Sequence, residues 1–310
     1  MGIADILQPF ASSLTYICVL VLATFAITLI FKTSATTNFA QGTVAALGCY
    51  VCSGFLINQQ WNIWLSLLMG VIFGVLVGLF IDLVIFRNGR NVNLVGKQII
   101  TMGIVSILGN GIPMVYRYVD APVIPSLTNA LNTPPSIVDI AGKPLSITVH
   151  SLICLGITVV LIGVLFLLLK FSKWGLGVRT TASNEYVAQM MGVNTYAITA
   201  ISWGIAGGLG AIACVMFVGE NGSLQNPFIM TEFQVNAFLA GILGGFGSFI
   251  GPVVAAIIIP VFETSVGFLA NVETLRGITS WIKVISYVVI MIVIYIKPNG
   301  LFGKKVVKKV

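Results

Sequence analysis

Residues 235–269 read VNAFLAGILGGFGSFIGPVVAAIIIPVFETSVGFL, an apolar tract of 35 residues interrupted at 244–252 by GGFGSFIGP. A single straight helix of that length would reach about 50 Å, against a bilayer hydrocarbon core of about 30 Å. The tract is too long for one span, and its glycines and proline put a break near its middle. Irregular backbone at membrane depth persists only where protein or a water-filled cavity covers it. The tract therefore reads as a broken or re-entrant helix pair, bent at Gly244, Gly245 and Gly247.

The remainder of the chain asks for the same solvent. Of 310 residues, 57% are hydrophobic and 8% charged, where a soluble domain carries about 25% charged residues. Windows of about 20 residues place seven clear transmembrane helices near 10–31, 37–57, 61–86, 98–116, 147–170, 197–219 and 279–297. The expected fold is an all-α polytopic membrane protein forming one transmembrane domain over 1–310. Met1–Phe10 has no Lys or Arg and no small-residue cleavage site follows, so the first run reads as a retained span. Gly70, Gly74 and Gly78, and likewise Gly204 and Gly208, form small-xxx-small stripes that let helix backbones approach in lipid. Trp61, Trp64, Trp174 and Trp281 fall at span ends, where their rings anchor at the interface.

Charge sets the sidedness, because cytoplasmic loops gather Lys and Arg. Lys32, Arg87, Arg90, Lys97, Lys170, Lys173, Arg179, Lys297, Lys304, Lys305, Lys308 and Lys309 fall on one side, against Arg117, Lys143, Arg276 and Lys283 on the other. The first group belongs inside, which puts the N-terminus outside and the C-terminus in the cytoplasm. Parity then requires the 235–269 tract to go in and return, for up to nine crossings. Asp5, Asp120, Asp139, Glu220, Glu232 and Glu273 fall outside, while Glu185 alone among the acids lies in a cytoplasmic loop. The extracytoplasmic loop 117–146, rich in Pro, Ser, Thr and Asn, reads as an irregular cap.

Catalytic chemistry finds no purchase. His150 is the single histidine, which excludes an H-E-x-x-H zinc helix, and no G-x-x-x-x-G-K-[ST] phosphate loop occurs. Gly208, Gly210 and Ala213 match G-x-G-x-x-A but sit inside a span with no strand before them. Cys18, Cys49, Cys52, Cys154 and Cys214 lie in or beside apolar runs, where thiols pack as small hydrophobes. Cys49 and Cys52 share a helical face without a His or acid nearby, so no metal or cofactor site is expected, nor any nucleic-acid partner.

One polar island stands out: RTTASNEYVAQMMGVN at 179–194, within a cytoplasmic loop spanning 171–196. Asn184 can cap a helix start, Glu185 suits the positive end of the helix dipole, and Gly192 can end it. A two-turn helix over 185–191 follows, with Val187, Met190 and Met191 on an apolar face and Glu185 and Gln189 wet. Such a helix either lies on lipid headgroups or offers its methionines to a groove in another protein.

The order of features resembles the permease subunits of branched-chain amino acid ABC importers, the LivH family, over nearly the full chain. The island matches that family's Arg-x-x-Ala-x-x-x-x-x-Ala-x-x-x-Gly pattern at Arg179, Ala182, Ala188 and Gly192. TTNFAQGTVAALGCYV resembles its Asn-Phe-Ala-His-Gly segment, with Gln41 where His is common, and NPFIMTEFQVNAFLAGILGGFGSFIGPVVAA and KPNGLFG resemble two further stretches. The resemblance implies a bacterial cytoplasmic-membrane permease with a second related permease subunit, its own copy or a sister. It further implies two cytoplasmic ATPase subunits that bind the ATP and dock on a coupling helix within 179–194, and an extracytoplasmic solute-binding protein. Gln41 keeps a urea or short-amide permease open, and the residues alone leave room for a secondary transporter or channel.

For the pathway the sequence offers Asn38 and Gln41, scarce amides at a span entry, the bend glycines, and Glu263, an acid inside the apolar tract. An ionisable group at a span centre costs roughly 2.5 to 3.5 kcal/mol on insertion scales. Asp82, near the inner end of its span, is expected to pair with Arg87 or Arg90.

Overall fold

The structure is a computed structural model, described here for residues 3–89, 92–115, 137–140, 143–222, 226–270 and 281–303. Two helices form its centre. α2 (Leu14–Ser34) and α9 (Thr195–Asn221) are buried along most of their length, which explains why α2 is apolar all round and shows no polar face. Packed about them are α3 (Gln41–Asn58), α4 (Ile63–Phe80), α6 (Val149–Phe171), α10 (Ile229–Gly244) and α11 (Ile250–Ala270). Further out lie α5 (Leu94–Val115) and α12 (Ile282–Ile296). Leu76, Ile107, Val159 and Met291 on α4, α5, α6 and α12 face outward, as lipid-facing side chains do.

Six helices among the described residues are long and apolar enough to cross a membrane, and the apolar helices α10 and α12 are shorter. The chain is a multi-pass membrane protein. The small-residue stripes are where α4 lies backbone to backbone on its neighbours: a Cβ on Gly74 would stand 2.6 Å from the Gly207 carbonyl oxygen, and one on Gly78 2.2 Å from that of Trp203.

The broken tract is a helical hairpin. α10 ends at Gly244, Gly245 takes φ +87°, and α11 departs at Ile250. A Cβ on Gly244 would sit 2.2 Å from the Gly251 carbonyl carbon, so the bend closes only with glycine at both positions. The turn lies beside the C-terminal end of α2, where Lys32 Nζ donates to the Gly247 carbonyl at 2.9 Å and stands 4.8 Å from the Phe249 ring centroid.

A second discontinuity lies between α2 and α3. Ala35 has φ +50°, and residues 36–40 run through the interior without helix before α3 starts. Gln41 there meets Ala206, about 16 Å along α9 at 1.5 Å per residue. Thus α3 begins deep inside the bundle.

Several local expectations need correction. The 117–146 segment contains an antiparallel hairpin, β1 (Ile137–Ile140) with β2 (Lys143–Ser146), pairing Ile137 with Ser146 and Ile140 with Lys143, so that loop is not wholly irregular. Ile137, Val138 and Ile140 are β-formers, hidden by the Pro- and Asn-rich run before them. The first span is two helices, with α1 (Ile3–Ser12) preceding α2. Beyond α4 the helix widens into a π-helical segment, Ile81–Phe86, in which the Arg87 backbone N–H reaches the Asp82 carbonyl. Arg90, Arg117, Arg276, Glu273, Asp120 and the tail lysines Lys304, Lys305, Lys308 and Lys309 lie outside the described residues.

Candidate functional site

The polar island is two helices set at a corner. Lys173–Ser183 forms α7, and Glu185–Met190 forms α8. Ser172 Oγ accepts from Gly175 N at 3.0 Å to start α7, and Arg179 ties α7 to the end of α6 by donating to the Gly175 and Lys170 carbonyls at 3.3 and 3.4 Å. Asn184 Oδ1 accepts from Val187 N at 3.1 Å, capping α8. The helix closes with Gly192 N to Gln189 O at 2.9 Å and Val193 N to Ala188 O at 3.0 Å. That is the Schellman pattern, which requires the positive φ (+80°) of Gly192.

One residue of α8 faces the bundle. Ala188 is 3% exposed, while Val187, Tyr186, Met190 and Met191 are 50, 71, 73 and 80% exposed. Gln189 Nε2 donates to Thr195 Oγ1 at 2.8 Å and to Glu185 Oε1 at 3.3 Å, bracing α8 against α9. Glu185 stands between two cavities. One of about 260 Å³ is lined by Asp82, Arg87, Lys97, Gln189, Tyr196 and Thr199, and another of about 460 Å³ by Lys32, Thr181, Ala182, Phe246 and Gly247. Arg87 lies 5.9 Å over the Tyr196 ring.

The hairpin bend and the chain's last described residues meet at this same end. After α12, Leu301 N donates to Leu243 O at 2.7 Å and Phe302 N to Gly244 O at 3.3 Å, and a Cβ on Gly245 would lie 2.6 Å from the Asn299 carbonyl oxygen. Lys32, Arg87, Lys97, Lys170, Lys173, Arg179 and Lys297 gather here as well.

Deep in the bundle, Asn38 and Gln41 are both buried and both engaged. Asn38 Oδ1 accepts from Ala40 N at 2.9 Å, Asn38 Nδ2 donates to Gln41 Oε1 at 3.2 Å, and Gln41 Nε2 donates to Ala206 O at 2.7 Å. Gln234 on α10 accepts from Gly42 N at 2.7 Å, satisfying the start of α3. Gln41 and Gln234 line a void of about 10 Å³, the scale of one water. They stitch three helices together around a closed interior.

At the opposite end lies a cavity of about 230 Å³ between the start of α2, the end of α9, α10, α11 and α12. Glu220, Glu232 and Glu263 line it with a single ammonium, Lys283, which pairs with Glu232 at the rim. Tyr16, Val19, Phe217 and Phe233 supply its apolar walls.

The chain matches the family described as "Branched-chain amino acid transport system / permease component" over residues 10–294. It belongs to that family. The high-affinity branched-chain amino acid transport system permease protein LivH of Salmonella typhimurium is 26% identical over 292 residues, covering 91% of both chains. A probable branched-chain amino acid transport permease protein LivH of Methanocaldococcus jannaschii is 26% identical over 94% of this chain and 90% of its own. The ribose import permease protein RbsC of Haemophilus influenzae is 25% identical over 86% and 78% respectively. No solved structure matches the chain.

The permease brings three of its sequence landmarks to one place, since the island, the GGFGSFIGP bend and KPNGLFG all meet at the α8 end. The fourth, around Asn38 and Gln41, is held apart in the core. Sequence reading missed α7, because Gly175 and Gly177 look like loop residues. It also missed Gln234, Asn236, Tyr16 and Tyr287, which act only through partners distant in the chain. An amide pair inside an apolar tract, Gln234 and Asn236, was the available signal.

Proposed function

We propose that the chain is the membrane-spanning subunit of an ATP-driven importer for branched-chain or related amino acids in a bacterial cytoplasmic membrane. It crosses nine times, with α2, α3, α4 with its π-helical extension, α5, α6, α9, α10, α11 and α12 as the crossings. The α8 end faces the cytoplasm, where its basic residues obey the positive-inside rule, and the Glu263 end faces the delivering solute-binding protein. Two ATPase subunits dock on α8, and a second permease subunit, the chain itself or a sister, completes the pathway. That second subunit fits an interior closed to about 10 Å³ around Gln41.

The observation that carries this reading is the form of α8. Its caps, its Ala188 seat and the Gln189 brace fix it from one side, leaving Tyr186, Val187, Met190 and Met191 free for a partner's groove, a helix-in-groove arrangement with adaptable methionines. Met190→Glu with Met191→Glu is the test. The chain alone should purify at wild-type yield and elution volume, while co-purification of the ATPase falls at least tenfold, or about 1.4 kcal/mol. Undiminished co-purification rejects the docking role.

The ribose permease relative favours a second reading in which the cargo is a sugar, and Gln41 leaves a urea or short-amide cargo. Uptake of labelled leucine, ribose and urea by the complete transporter separates the three.

A further inference from the structure

Glu263 lies on α11 among apolar neighbours and is 8% exposed. A pair of hydrogen bonds runs toward it. The Tyr287 hydroxyl donates to Asn236 Oδ1 at 3.0 Å, Asn236 Nδ2 donates to the Tyr16 oxygen at 2.5 Å, and Tyr16 and Glu263 line the same two cavities. Both bonds point the same way, toward Tyr16. Next to Tyr16 on the cavity wall is the Glu263 carboxyl, whose Oε1 is buried and has no partner. Glu263 stands on the wall shared by the 230 Å³ cavity and a more open one of about 410 Å³ toward Pro9, Ser12 and Phe268.

A buried carboxylate is retained only with a cation or with enough donors. Lys283 is the one cation among the residues lining the first cavity, and it is engaged with Glu232 at the rim. Glu220 adds a further negative charge. The cavity lining is thus short of positive charge, and the same cavity is lined by Tyr16, Phe217 and Phe233, whose ring faces attract cations and whose bodies are apolar. Its volume falls below the roughly 300 Å³ at which drug-sized pockets begin, which suits a ligand of amino-acid size.

From these observations we infer that the cavity ending at Glu263 is an entry site for a small molecule bearing a primary ammonium group. The ammonium replaces the missing donor at Glu263, and an apolar side chain lies against Val19, Phe217 and Phe233. The inference rests on the importer reading for its choice of an amino acid, and it assigns the group that holds that substrate's nitrogen. An uncharged sugar would leave Glu263 as it stands.

The test needs neither ATPase nor binding protein. Dicyclohexylcarbodiimide, which modifies carboxyls in apolar surroundings, is applied to the full chain in lipid nanodiscs, and modification of Glu263 is read by peptide mass spectrometry. Leucine, 3-methylbutylamine, 4-methylpentanoate and sodium chloride serve as protectants at equal concentration. Leucine and the amine should each slow labelling of Glu263 several-fold, while the acid and the salt leave it unchanged. Protection by the acid or by sodium to the same extent, no protection at all, or no labelling of the ligand-free chain each overturns the inference. In the complete transporter, Glu263→Gln should lower leucine uptake several-fold at subsaturating leucine with the ATPase still co-purifying, and Glu263→Asp should restore part of it. Wild-type uptake by Glu263→Gln also overturns the site. Failure of the α8 test leaves the labelling result standing, so the two readings fall separately.

Discussion

At the α8 end of the bundle polar side chains are spent on the backbone, whereas at the opposite end they are spent on one another. Ser172, Asn184 and Arg179 each satisfy main-chain groups of α6, α7 or α8, and Gly192 and Gly245 supply the left-handed turns. The outcome is a fixed shape with apolar side chains left over. Around Glu263, Tyr287, Asn236 and Tyr16 satisfy each other in series, and what is left over is charge. A rigid apolar projection suits a lasting protein contact, and an unshared carboxylate in a small cavity suits a ligand that comes and goes.

That contrast can be broken at the bend first. Gly244→Val puts a branched side chain where a Cβ already lies 2.2 Å from the Gly251 backbone. It should separate α10 from α11, cost about 3 kcal/mol or more, and abolish the monodisperse peak in detergent size exclusion. Next in size is the core stitch. Gln41→Leu leaves the Ala206 carbonyl and Asn38 amide without their partner, which should cost about 1–3 kcal/mol and lower the thermal unfolding midpoint, although the side chain touches no large cavity. Asn184→Ala removes only the cap of α8. It should cost about 1 kcal/mol of local helix stability, read as faster hydrogen exchange at the Val187 amide with exchange in α9 unchanged. Smallest is Lys283→Met at the opposite rim. Its ion pair with Glu232 is half exposed, so the unfolding midpoint should shift by less than about 1 kcal/mol equivalent.

The same contrast explains what could be read from the sequence. The lipid solvent demands long apolar runs, so the span positions were legible to within a few residues. Gly244 and Gly245 were legible as a bend because a turn there needs a glycine. The α8 boundaries were legible because Asn184 and Gly192 act on residues three or four away. α7 was not, since Gly175 is present for the approach of the Leu168 carbonyl, 2.4 Å from where its Cβ would be, and that neighbour belongs to another helix. Glu263 showed as an acid in an apolar tract, yet the hydrogen bonds near it join α2, α10 and α12 through residues up to 220 positions apart. Asn38 and Gln41 were visible as scarce amides, but their use, a stitch to Ala206 and beside Gln234, depends on packing that one strand of sequence does not encode locally.

The central claim is that the exposed face of α8, and not the acidic end, meets the ATPase. In a chain whose five native cysteines are replaced, Met191→Cys and Asn221→Cys can each be crosslinked in the assembled transporter with a short bifunctional maleimide to surface cysteines on the ATPase. The account predicts a covalent permease–ATPase product from Met191→Cys and none from Asn221→Cys. A product from Asn221→Cys, or none from Met191→Cys in a complex that still co-purifies, would contradict it.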